Sequence, residues 1–242
     1  MSEEKKMPIM GHFAEMRRRF LRSVIAIGVA TMLAFFFVGP IMDILTAPAP
    51  DLDLTAIDLL ENMSMFFKIS LSTGFIVAFP YVIYQLFAFL APALTPREKR
   101  FVFTAVPFIS GLFLAGVAFA YFIALPPALN FFRTFLDEWV HMQPRITSYI
   151  NVVTRLLIGV GLAFELPILI MALARLGIVS PKWLAGKRKI WIILAFVLGA
   201  LITPTFDPIN QTIIAVPLIV LYELSILLSR LVYKKKKEPA IA

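Results

Sequence analysis

The chain has no cysteine. That single absence removes disulfides, thiolate zinc sites, iron–sulfur clusters and cysteine nucleophiles together. Histidine is almost as scarce: His12 and His141 are the only two, far apart in sequence, so no histidine-based metal centre is expected. Charged residues make up only 16% of the chain, against about 25% in soluble domains. No G-x-S-x-G elbow, H-E-x-x-H pair, P-loop or dinucleotide fingerprint occurs. An intramembrane acid protease would need two carboxylates at membrane depth, and Glu223 lies too near the end of its apolar run to partner Glu165. The chain reads as a non-enzyme, with no catalytic residue, cofactor or metal.

What it has in abundance is apolar sequence. Of 242 residues, 60% are hydrophobic, and the mean hydropathy is +0.87. The apolar residues come in long blocks, which points to an all-α integral membrane protein rather than a large soluble core. Six transmembrane helices are placed at about 20–38, 66–91, 101–124, 153–174, 190–203 and 209–229, taking ~20 residues per span loosely for the last two. The first run is too long for the ~7–15-residue core of a signal peptide and is read as a span.

Charge orients these spans. Of the 23 basic residues, only Lys68, Arg133, Arg145 and Arg155 fall outside the termini and even-numbered loops. By the positive-inside rule both termini are cytoplasmic. Residues 1–19 then form a cytoplasmic segment, 39–65 and 125–152 are outer segments, and 230–242 is a basic cytoplasmic tail. The net charge of +8 is therefore a topology signal rather than a sign of nucleic-acid binding. The Lys234–Lys237 run fits contact with anionic lipids.

The most informative residue is Glu165. It lies inside the apolar run from Leu156 to Ala174, where a carboxylate costs about 2.5–3.5 kcal/mol on insertion scales. Arg155 is the nearest base in sequence, but ten residues of helix span about 15 Å. A partner from another span or another protein, or a protonated and hydrogen-bonded carboxyl, are the alternatives. Acids at such depth mark functional sites by default.

Other segments carry weaker signals. HFAEMRRRFLRS is a basic amphipathic stretch expected along the inner interface before the chain turns into span one. Pro40, Pro48 and Pro50 predict an extended outer segment after Val38. Leu129, Phe132, Leu136, Trp139 and Val140 repeat at helical spacing, predicting a short outer helix with Trp139 at the interface. Pro80, Pro107, Pro167 and Pro217 lie inside spans and predict kinks, hence a curved bundle with a concavity. From Ile190 to Ile202 the apolar stretch is only about 20 Å of helix, and the last span is also read as short. Such a hairpin either thins the bilayer or is covered by neighbouring protein.

On the basic inner face, acids are rare. Thr95, Pro96 and Glu98 match a capping box at the start of span three. Glu15 has an i,i+4 partner in Arg19. Spacing alone favours these structural roles, although two carboxylates in a cationic field could also select a pair of guanidiniums. Asp207-Pro208 reads as the cap and first residue of the last span.

Together these residues resemble a known family. YQLFAFLAPALTPREKRF, from Tyr84 to Phe101, is similar to the segment joining spans two and three of TatC, the multispanning receptor of the twin-arginine protein translocase. HFAEMRRRF, TAP at Thr46 to Pro48, FAYF at Phe119 to Phe122, FELP at Phe164 to Pro167 and TPTFDPINQT at Thr203 to Thr212 match in order. Ala93 stands where many members have glycine. Six spans with both termini inside is also that family's topology.

The resemblance implies a multi-pass protein of a prokaryotic cytoplasmic (inner) membrane. It implies binding of twin-arginine signal peptides on folded cargo at the cytoplasmic face, through Glu15, Arg17, Phe89 and Glu98. Glu165 is implied as the contact for single-span TatA- and TatB-type subunits, with Pro48 and Asp207 acting in assembly and transport on the outer side. It also implies self-association, use of the proton-motive force without ATP, and no nucleic-acid partner. The rival reading is a small proton- or cation-coupled transporter with Glu165 as its ion site. That architecture favours internal inverted repeats, and none is visible.

Overall fold

The structure, a computed structural model, describes residues 9–49, 52–93, 95–134, 143–175, 177–203 and 208–233. In chain order the helices are α1 (Ile9–Phe35), α2 (Val38–Thr46), α3 (Leu59–Leu90), α4 (Pro96–Phe119), α5 (Leu125–Thr134), α6 (Ile146–Ala163), α7 (Leu166–Arg175), α8 (Pro181–Gly186), α9 (Arg188–Ile202) and α10 (Pro208–Val232). A single 3₁₀ turn, Ala91–Ala93, follows α3. No strand occurs among the described residues; Thr55 and Arg145 form one isolated bridge.

Among the described residues, four stretches are long and apolar enough to cross a membrane: Leu59–Leu90, Phe103–Phe131, Ile146–Arg175 and Pro208–Val232. A fifth is formed if α1 and α2, which meet at an 83° bend, count as one broken span. At 15 residues, α9 falls short of that length, as its sequence predicts. By contrast α10 has 25 residues and is not short. Its helix runs on through Arg230 and Leu231, beyond the uninterrupted apolar stretch, because Arg230 is a good helix former and no breaker intervenes.

Two further expectations are corrected. The basic stretch ahead of span one does not lie apart from it: α1 is continuous from Ile9 to Phe35. No proline or glycine occurs between His12 and Ile27 to break the helix, and the Glu15–Arg19 pair supports it. Residues 38–46 are helical rather than extended. Pro40 sits in the first turn of α2, where a missing N–H costs nothing. A helix is present where one was expected, as α5 up to Thr134, whereas Leu136, Trp139 and Val140 lie outside the described residues.

The chain divides into two compact units, residues 1–43 with 62–111, and residues 44–61 with 112–242. In the first, α1 and α3 run antiparallel. Phe35 packs on Phe66 and Phe67, and Gly74 lies so close to Thr31 that a Cβ there would be 2.4 Å from its Oγ1 and 2.5 Å from its backbone nitrogen. Glycine is what permits that approach.

In the second unit, α4 enters a π turn at Ala120–Ala124. Pro126 and Pro127 have no N–H, and their rings crowd the carbonyls four residues back. The register widens in response, and the Leu125 N–H bonds to the Ala120 carbonyl. From this turn the Tyr121 hydroxyl donates to the Ile44 carbonyl (2.6 Å). The Tyr149 hydroxyl donates to the Leu45 carbonyl (2.7 Å). Two otherwise orphaned carbonyls at the end of α2 are satisfied this way. The loop between α7 and α8 turns at Gly177, φ +73°, with Ile178 N–H on the Leu173 carbonyl (3.0 Å), a glycine helix stop. Around it Ile170, Leu184, Tyr222 and Ile226 form a buried cluster, flanked by Val179 and Trp191.

Candidate functional site

The basic end of α1 belongs to the first unit. Here Arg19 donates from Nε (2.9 Å) and Nη2 (2.7 Å) to one oxygen of Glu15, Oε1. Its Nη1 lies 3.4 Å from the side-chain oxygen of Gln85 in α3. The helical spacing of Glu15 and Arg19 makes the pair, and the antiparallel packing of α1 on α3 brings Gln85 to it. The Glu15 side chain is only 11% exposed. Its second oxygen, Oε2, is buried without a hydrogen-bond partner. A carboxylate held in place by one cation and left with an empty acceptor is suited to take a second guanidinium.

The other residues assigned to this face stand as follows. Arg17 is exposed on α1. Phe89 is half-buried in the last turn of α3. Pro96 is the first residue of α4, and Lys99 N–H bonds to the Thr95 carbonyl (2.8 Å), so Thr95 and Pro96 open the helix as their spacing predicts. Glu98 lies in that first turn; its side chain is outside the described residues. Gln85 was not singled out from sequence. It is 3% exposed, and the available signal was a lone polar residue near the end of an apolar run.

Glu165 belongs to the second unit and sits at a break between α6 and α7. Pro167 has no N–H to offer the Ala163 carbonyl, and the helix loosens at Phe164 and Glu165. Backbone bonding crosses the break: Glu165 N–H to the Leu162 carbonyl (3.1 Å) and Leu169 N–H to the Glu165 carbonyl (3.0 Å). The backbone of Phe113 in α4 hydrogen-bonds the carboxyl group, while Oε1 is buried without a partner. Two glycines set this geometry. A Cβ on Gly116 would lie 2.8 Å from Phe164, and one on Gly161 would lie 2.8 Å from the Phe113 ring. Their absence of side chains lets α4 and α6 close on the Glu165 level. Arg155 is exposed on α6 and takes no part.

Pro48 lies half-buried in the turn that follows α2, next to the carbonyls capped by Tyr121 and Tyr149. Asp207 lies outside the described residues, and Pro208 is the first residue of α10. Glu223 is not free: Arg188 holds it with two bonds, 2.6 and 2.8 Å. Another polar anchor that sequence spacing did not reveal is Glu61, whose carboxylate accepts from the Thr147 hydroxyl and from Ile57 N–H (2.9 Å). No group of three or more acidic or histidine side chains suited to a metal occurs among the described residues.

Residues 11–217 match the profile of a family described as Sec-independent protein translocase protein (TatC). A TatC of Aquifex aeolicus is 39% identical over 241 residues, covering 96% of this chain and 98% of the relative. A TatC of Escherichia coli K12 is 34% identical over 235 residues, covering 95% and 91%. A crystal structure described as the twin arginine translocase receptor TatC superposes with a TM-score of 0.79 at 38% identity, covering 91% of this chain and 99% of that one. An all-helical fold, several membrane-length apolar helices and similarity along almost the whole length converge: the chain belongs to the TatC family of Sec-independent protein translocases.

Proposed function

We propose that the chain is the receptor core of a twin-arginine translocase, with six spans and both termini on the cytoplasmic side of a prokaryotic inner membrane. The carboxylate of Glu15 carries this reading. One oxygen is fixed by Arg19, the other is unpartnered, and both lie within a field of exposed arginines. An incoming signal peptide presents two guanidiniums. One bonds to Glu15 and the other to Glu98, in the first turn of α4. Arg17 and Phe89 complete the surface, Phe89 by apolar contact.

At lipid depth, Glu165 offers one oxygen to a polar group on a single-span TatA- or TatB-type helix. A hydrogen bond there replaces an unsatisfied buried acceptor, which is where such bonds contribute most. Pro48 and Asp207 act on the outer side in assembly of several copies and in transport. The proton-motive force supplies the energy. No bound cofactor is required.

The decisive experiment is binding of a purified twin-arginine signal peptide to the full chain in detergent, with photocrosslinkers at positions beside Glu15 and Phe89. The native peptide crosslinks. A peptide with both arginines changed to lysine loses binding by about 10-fold or more, because ammonium groups cannot form the planar fork. Equal binding of the two peptides would refute the receptor reading.

A further inference from the structure

At the basic end of α10 the second unit contains a cavity of about 580 Å³ lined by Ser180, Pro181, Lys182, Ala185, Arg230 and Tyr233. The receptor reading makes no use of it. Its volume falls within the ~300–1,000 Å³ typical of small-ligand sites. Its polar lining is of one kind: an ammonium, a guanidinium and two hydroxyls. Neither Lys182 nor Arg230 forms a hydrogen bond or ion pair among the described residues. Competing acids are few. The only one in α10, Glu223, is held by Arg188, and α8 has none. The Ser180 hydroxyl accepts from Trp183 N–H (3.1 Å) and keeps its own proton to donate.

The surroundings identify the kind of anion. Arg230 lies at the end of a 25-residue apolar helix, where Leu227 (58%) and Leu231 (77%) are exposed. In α8, next to Lys182 in sequence, Trp183 is 55% exposed, with the Lys187 ammonium 5.8 Å from its ring centre. An exposed tryptophan beside a lysine is a side-chain pair suited to the membrane–water boundary. A soluble phosphate has no use for such apolar flanks, whereas a lipid does.

We propose that this cavity holds the phosphate headgroup of an anionic phospholipid, bound between Lys182 and Arg230 with Ser180 and Tyr233 as hydroxyl donors. Arg230 offers a fork to two phosphate oxygens, Lys182 a compact charge, and the acyl chains descend along exposed Leu227 and Leu224. The site is thereby a fixed lipid position, distinct from diffuse attraction of the Lys234–Lys237 run to the bilayer surface.

The test uses the full chain, delipidated in neutral detergent and then supplied with phosphatidylglycerol or phosphatidylcholine, with retained lipid measured by native mass spectrometry. Wild type retains phosphatidylglycerol over phosphatidylcholine. K182Q/R230Q lowers that retention about 10-fold, K182R/R230K preserves it, and K189Q on neighbouring α9 leaves it unchanged. Equal retention by wild type and K182Q/R230Q overturns the proposal. So does binding of inorganic phosphate with the same variant dependence but without any preference for phosphatidylglycerol, which assigns the cavity to free phosphate. Twin-arginine peptide binding, measured on the same preparations, keeps this outcome separate from that of the receptor reading.

Discussion

The two compact units each contain a glutamate with an unpartnered oxygen, and they treat it in opposite ways. In the first, Glu15 lies on an unbroken helix amid arginines and is already bound to one of them. In the second, Glu165 sits at a break in an apolar helix pair, with only a backbone neighbour and no ion pair among the described residues. A carboxylate held by a cation in a polar setting discriminates by charge and shape. One surrounded by hydrocarbon is useful for a single directional hydrogen bond, which a neutral group can also make. The same side chain therefore serves two kinds of recognition, and the local backbone decides which.

The strongest way to break this contrast is a double dissociation. E15A/E98A removes both charged acceptors, each worth about 1.5–3 kcal/mol, and reduces twin-arginine peptide affinity by about 100-fold or more. E165L, which can neither donate nor accept, leaves that affinity unchanged and reduces co-purification of single-span subunits. Peptide affinity that followed E165L as closely as E15A/E98A would erase the distinction.

Next in size are the helix approaches. G74A places a methyl group against the backbone of Thr31, which cannot rotate away, and lowers stability by about 1–3 kcal/mol. G28A is the control within the same unit: nothing lies within 4 Å of a Cβ there, and the added helix propensity makes it neutral or slightly stabilising. Thermal unfolding in detergent separates them. The pair of carbonyl caps is comparable at Tyr149 and smaller at Tyr121. Y149F leaves a buried carbonyl without its donor and costs about 1–3 kcal/mol. Y121F removes an exposed bond and costs less. The smallest effect belongs to E223Q: with both partners of the Arg188 pair close to half exposed, the change in melting temperature is too small to resolve.

Much of this architecture was legible because membrane proteins write it in long runs. Apolar length located the four membrane-length helices among the described residues, and Pro96 and Pro208 marked where helices begin. Glu165 stood out because a lone carboxyl in hydrocarbon has no cheap explanation. What escaped were features set by partners distant in sequence or by the loss of one backbone donor. The π turn at Ala120–Ala124 follows from two prolines just downstream, yet its consequence, a tyrosine on the end of α2, needs the tertiary fold. Arg188 and Glu223, 35 residues apart, are joined only once α9 packs on α10. The continuity of α1 was missed because an amphipathic stretch and a span were read as separate objects, although nothing between them interrupts helical bonding.

The brevity of α9 has a consequence of its own. Fifteen residues rise about 22 Å, and Ile190, Ile193, Val197 and Leu201 face outward along one stripe. A stripe of that length either shortens the chains of a ~30 Å lipid core or is covered by neighbouring protein. In the first case headgroups and hydration are drawn inward beside α9, and a polar segment crossing at that flank would face a narrower dielectric barrier.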